Sequence, residues 1–192
     1  MQKTNDEILA EFKNLGTEKL LPMVGTGQVA LLLEDGPRIS GVMTAALVKT
    51  TEENAWNVLL DYDRYRAFLP GISTSRVVSR TDREIVVRFE AGVKVMGVGG
   101  MVRYTYRMVV AKPYVHVYDR DSGEISGYWA VLPVPGGGSV VLVHADVAKD
   151  VKSAHIFLRF LVDKLPTAEA GLHVSPVVML VNRMKQRMEK SR

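Results

Sequence analysis

A chain of 192 residues that is 47% hydrophobic and 24% charged, with 16 glycines, 8 prolines and no cysteine, has the composition of an ordinary globular protein with room for one or at most two domains. Those figures exclude a disordered, collagen-like or coiled-coil chain, a disulfide scaffold, a thiolate metal site and a cysteine nucleophile. The net charge of +4 sits after Asn182, where Arg183, Lys185, Arg187, Lys190 and Arg192 outweigh Glu189, so the body is near neutral and offers no basic face for nucleic acid.

The opening segment MQKTNDEILAEFK is charged and lacks the apolar stretch of a secretory signal. This favours the cytoplasm and leaves the periplasm open for a chain whose signal has been removed. No apolar run reaches the ~20 residues of a membrane span. Ile8, Leu9, Phe12 and Leu15 have helical spacing, with Asn5 or Asp6 as the cap and Gly16 as the stop. The apolar run Gly27–Leu33, closed by Glu34-Asp35-Gly36-Pro37, predicts a strand, and Ile39–Val48 a second.

Thr50 and Glu53 have capping-box spacing at the start of a helix whose stripe is Ala55, Val58 and Leu59, with Trp56 alongside. Asp61-Tyr62-Asp63-Arg64-Tyr65 opens a further helical piece that carries Phe68 and Leu69 and stops at Pro70-Gly71. From there the period is two. Strands are predicted at Ser73–Ser79, Glu84–Val93, Val98–Ala111, Tyr114–Tyr118, Glu124–Leu132 and Ser139–Val147. Their short connections suit antiparallel neighbours. The last stretch returns to helical spacing. Phe157–Val162 is apolar on nearly every side and is followed by Pro166. Val174, Val177, Val178, Val181, Met184 and Met188 then form one stripe opposite Asn182, Arg183, Lys185, Gln186 and Arg187.

This order predicts an α+β domain, a curved antiparallel sheet wrapped around a long C-terminal helix, with helices on one side of the sheet. Residues 38–192 form that domain, and residues 1–37 an N-terminal extension of a short helix and a strand. Residues 5–33 are expected to pack on the domain and help close a cavity beneath the sheet.

The stretch from Thr50 to Val78 resembles the opening of START-like (SRPBCC) domains, in the polyketide cyclase/dehydrase or coenzyme-Q-binding branch. The resemblance rests on Ala55-Trp56-x-Val58-Leu59, Asp61-Tyr62, Tyr65, Phe68-Leu69-Pro70 and Ser75-Arg76-Val77. A second matching segment is Gly127-Tyr128-Trp129-Ala130-Val131-Leu132-Pro133 with the Gly-rich turn after it. It covers about residues 38 to 190. The resemblance implies a helix-grip fold, a seven-stranded sheet gripping the C-terminal helix around an apolar cavity. Activities in the superfamily range from lipid carriage to ring cyclisation, so the fold alone selects no function.

The chemistry-bearing residues point the same way. His116, His144, His155 and His173 have no partners at metal-ligand spacing, and His144 with Asp146 falls short of the three or four ligands zinc needs. Gly97-Val98-Gly99-Gly100 lacks the pattern of a phosphate loop, and a strand follows it. No serine stands in a nucleophile elbow. No catalytic residue, metal or cofactor is therefore assigned.

Alternation in Met101–Val110 places Val102, Tyr104, Tyr106, Met108 and Val110 on the concave side and Arg103, Thr105 and Arg107 outside, because unpaired arginines are costly to bury. The same logic turns Ile85, Val87, Phe89 and Ala91 inward. The resemblance adds Trp129 and Val131. Phe89, Tyr104, Tyr106, Trp129, Val131, Phe157 and Leu161 are the candidate ligand-binding residues, and plain core packing is the alternative for each. The direction of the Tyr114, His116 and Tyr118 face stays open. The expected function is binding or carriage of a hydrophobic small molecule: a lipid, isoprenoid quinone or polyketide-like compound. The alternative is an aromatase/cyclase-like enzyme using Tyr104, Tyr106 or His116 on a carbonyl substrate. A third option is a protein-interaction domain, and the uncovered side of Phe157–Val162 leaves a second subunit or a transient membrane contact open.

Overall fold

The computed structural model describes residues 21–25, 27–35, 38–95, 98–121, 123, 125–146 and 166–191. The helix expected around residues 8–15, Phe157 and Leu161 lie outside the described residues. The chain runs β1 (Gln28–Asp35), β2 (Arg38–Val48), α1 (Glu52–Leu60), a 3-10 helix (Tyr62–Ala67), β3 (Ile72–Arg80), β4 (Glu84–Val95), β5 (Val98–Ala111), β6 (Tyr114–Asp119), β7 (Ile125–Pro133), β8 (Ser139–Asp146) and α2 (Pro166–Lys190). The eight strands form one sheet in the order β1-β2-β8-β7-β6-β5-β4-β3, and every neighbouring pair is antiparallel. With its helices this is an α+β helix-grip architecture. The eighth strand is β1, from the N-terminal extension, hydrogen-bonded along the edge of β2.

The start of α1 differs from the expected capping box. Thr51 is the cap, its hydroxyl accepting from the Asn54 backbone N–H at 3.2 Å. Thr50 is turned inward, where its Oγ1 accepts from Asn54 Nδ2 at 2.7 Å. The same Asn54 nitrogen donates to the Met188 carbonyl at 2.9 Å and so ties the start of α1 to the end of α2.

The inner face of the sheet carries Val42, Ala46 and Val48 of β2, Val141 and Val143 of β8, Trp129 and Val131 of β7, Val115 and Val117 of β6, Met108 of β5 and Ile85, Val87 and Phe89 of β4. Against it pack α1, the 3-10 helix and the stripe Val177, Val181, Met184 and Met188 of α2. Helix α2 lies over β1, β2 and β8, and Gln28 Nε2 donates to the Val178 carbonyl at 2.7 Å.

The outer face is not simply solvated. Met43, Ala45, Ala130, Val140 and Leu142 form a second buried cluster with Val24, joined by the partly buried Leu21, Val29 and Leu31. The described part of the extension thus packs on the sheet edge and the outer face. Tyr114, His116 and Tyr118 also face outward, because Val115 and Val117 between them belong to the inner cluster. His116, Tyr128 and His144 stand side by side on β6, β7 and β8, with ring centroids 5.1 Å and 5.7 Å apart.

Two predictions follow from this packing. Gly127 lies between β6 and β8, and a Cβ there would run into the His144 backbone carbonyl. Gly127→Ala should lower stability by about 1–3 kcal/mol, the usual range for overpacking, read as a lower denaturation midpoint. An unchanged midpoint would show that β7 can shift. His144 is 4% exposed, and burial pushes its imidazole down to about 4. Its folded value lies below its unfolded one, so its contribution to stability is whole above about pH 6.5 and declines as pH falls toward 4. The loss amounts to about 3 kcal/mol over that window. Urea midpoints across it should show this slope in the wild type and a flatter one in His144→Gln.

Candidate ligand site on the inner face

The site is built from the 3-10 helix outward. Six residues cannot hold a helical turn alone, and side-chain hydrogen bonds fix this one. Tyr65 donates its hydroxyl to the Leu59 carbonyl at 2.6 Å. Ser75 Oγ of β3 donates to the Tyr62 carbonyl, and the Val77 N–H donates to Asp63 Oδ1 at 2.7 Å. Arg80 Nη2 donates to the Leu60 carbonyl at 3.0 Å. The turn is thereby locked onto β3 and presents Tyr62 and Tyr65 to the sheet, both fully buried. Burial pushes both phenols well above the ordinary tyrosine value, so they stay protonated.

From this turn an unbroken series of ring contacts crosses the inner face. Tyr62 touches Trp129 with centroids 5.9 Å apart, and Tyr65 stacks on Trp129 at 6.0 Å with planes 13° apart. Tyr65 meets Phe89 at 6.1 Å, and Phe89 meets Tyr106 at 6.2 Å. Tyr106 stacks on Tyr104 at 6.0 Å. The track begins at the half-buried Tyr104 and Tyr106 of β5 and ends at a buried phenol. Such ring pairs each add ~0.5–1.5 kcal/mol beyond the area they bury.

Of the residues expected to line a site, Phe89, Tyr104, Tyr106 and Trp129 are brought into this track. Val131 lies one row further along the inner face of β7. Glu84 and Glu90 of β4 and Arg103 and Arg107 of β5 are kept on the other side. Arg103 Nε pairs with Glu90 at 2.7 Å and Arg107 with Glu84 at 3.2 Å. A hydrogen bond from Thr74, followed by the Arg103 pair, holds the Glu90 carboxyl below its usual value. His116, a candidate acid–base group in the catalytic alternative, is on the outer face and cannot meet a ligand bound along the track. Among the described residues no cluster of three or more His, Cys, Asp or Glu side chains could hold a metal ion.

Reading the sequence did not single out Tyr62 or Tyr65 as site residues. Their i, i+3 spacing was the available signal, since both then fall on one face of a 3-10 turn. A surface cleft of about 920 Å³ opens elsewhere, between the end of β2, the start of α1 and the β7–β8 turn. No aromatic ring lines it and it is open to solvent, so it is separate from the track.

Comparison with known proteins agrees with this architecture. The STAR-related lipid transfer protein from Xanthomonas axonopodis superimposes with a TM-score of 0.58 at 13% identity, covering 85% of this chain and 94% of its own. The Zhui aromatase/cyclase from a Streptomyces species has a TM-score of 0.55 at 15% identity, over 78% of this chain and 93% of its own. Human StAR-related lipid transfer protein 5 gives 0.53 at 12% identity, over 93% and 97%. At these identities the likeness is one of fold. Comparison with curated protein sequences finds no significant match. The family model described as polyketide cyclase/dehydrase and lipid transport matches residues 48–168, more than half of the chain, which therefore belongs to that family.

Proposed function

We propose that this protein binds and carries an uncharged hydrophobic small molecule of the lipid, isoprenoid quinone or polyketide-like kind, held against the inner face of the sheet. The observation that carries this reading is the aromatic track from Tyr104 to Tyr62, with Glu84, Glu90, Arg103 and Arg107 of the same strands turned outward in pairs. Such a wall attracts an apolar guest through removal of its surface from water, at about 25 cal/mol per Å², and needs few polar contacts. Phe89, Tyr104, Tyr106, Trp129 and Val131 are its proposed contacts. Phe157 and Leu161 belong to the same proposal from the sequence alone.

The fold neighbours fit both ends of the family's range, since one is a lipid transfer protein and another an aromatase/cyclase. The catalytic reading has less support here. With His116 on the outer face, it rests on Tyr104 and Tyr106, and a phenol is a poor base near neutrality. The deeper phenols of Tyr62 and Tyr65 are still harder to ionise.

Extraction of the purified protein with organic solvent, followed by mass spectrometry, should release an apolar compound in stoichiometric amount. Delipidated protein should bind 1,6-diphenylhexatriene saturably. Tyr104→Asp puts a carboxylate on the half-buried end of the wall and should weaken that binding at least about tenfold, with little change in melting temperature. Absence of both an extractable compound and saturable binding would overturn the reading.

A further inference from the structure

Three buried side-chain hydroxyls have no hydrogen-bond partner among the described residues: those of Thr44, Tyr62 and Ser139. All three belong to the inner layer. Thr44 lies between Val42 and Ala46, and Ser139 pairs with Val48, all on the inner face of β2 and β8. Tyr62 rests on Trp129. Thr44 and Trp129 occupy one row of the sheet, since both pair with Val143 of the strand between them. Two strand spacings separate them, about 10 Å.

An unpaired buried hydroxyl is costly, and folded proteins keep few without a reason. Tyr65 shows what the same turn does when a phenol has only a structural duty: its hydroxyl donates to the Leu59 carbonyl. Tyr62 is three residues earlier and equally buried, yet its hydroxyl stands at the inner end of the aromatic track with its donor unused.

We propose that Tyr62 is the polar end of the ligand site, donating a hydrogen bond to one uncharged oxygen of an otherwise apolar ligand, a carbonyl or hydroxyl, with Thr44 available to a second. This deepens the carrier reading and rests on it. The oxygen is uncharged because no lysine or arginine is buried among the described residues to compensate an anion there: the Arg80 guanidinium, whose charge reaches Tyr62, is exposed and is engaged by the Leu60 carbonyl.

The test uses the delipidated full chain and two probes of nearly equal shape, 2-acetylnaphthalene, which carries a carbonyl, and 2-ethylnaphthalene, which does not. Affinities are read from tryptophan fluorescence for wild type, Tyr62→Phe and Thr44→Val. The wild type should prefer the ketone by roughly three- to tenfold, the range of one net hydrogen bond. Tyr62→Phe should abolish that preference, leave the hydrocarbon's affinity unchanged, and melt at the same temperature as the ligand-free wild type or higher. A lower melting temperature with the preference intact would overturn the proposal, because the hydroxyl would then serve the fold or a trapped water. Should Tyr62→Phe not fold, the carbonyl infrared band of the ketone bound to wild type decides: a shift to lower wavenumber supports the hydrogen bond, and an unshifted band overturns it. If neither probe binds, the carrier reading fails first. If both bind equally, only the role of Tyr62 fails.

Discussion

The locking of the 3-10 turn onto β3 organises the inner face. A six-residue turn has almost no stability of its own. It is held because Tyr65 reaches back to the end of α1, while Ser75, Val77 and Arg80 of β3 bond to Tyr62, Asp63 and Leu60. Those bonds fix the angle at which two phenol rings meet Trp129, and through Tyr65 they set the position of the ring series that continues to β4 and β5. Loosen the turn, and the track loses its inner half even if the sheet stays intact.

The two halves of the sheet have different duties. Around β2 and β8 both faces are dry: α2 covers the inner side, and the cluster of Met43, Ala45, Val140 and Leu142 with Val24 occupies the outer. Around β4 and β5 the inner side carries the buried Phe89 and the half-buried Tyr106 and Tyr104, and the outer side carries ion pairs. Exposed pairs of that kind add little stability. Their importance here is positional, since they keep four charged side chains out of an apolar wall. The closed half anchors the fold, and the other half carries the wall proposed to meet a ligand.

Much of this was legible in the sequence, because period-two alternation is a local property. The faces of Met101–Val110 and Ile85–Phe89 followed from the cost of burying arginine, and the strand positions from turn residues between apolar runs. What stayed open or was misjudged depended on neighbours. Val115, His116 and Val117 alternate equally well with either face inward, and only the pairing of Val115 with Trp129 decides that the histidine points out. The runs Val42–Val48 and Val140–Val143 carry the mark of strands buried on both faces. A one-sided picture of the sheet undervalued that signal. The capping-box spacing pointed to Thr50, but Asn54 engages both threonines and leaves Thr51 as the cap.

An orphan hydroxyl is the least legible feature of all, because it is defined by what the surrounding fold fails to supply. Nothing in Asp61-Tyr62-Asp63-Arg64-Tyr65 separates the phenol that finds a carbonyl from the one that does not. The difference still bears directly on selectivity. A wall of rings binds apolar molecules in proportion to area and distinguishes them poorly, since a methylene is worth only ~1–3 kcal/mol. A buried donor whose desolvation is already built into the folded chain behaves differently: a guest that brings an oxygen relieves that cost, and one that does not leaves it standing. Affinity then comes from the track and discrimination from its end. A fold shared by carriers and cyclases can thus acquire a preferred ligand through one or two unsatisfied side chains while its core packing stays the same.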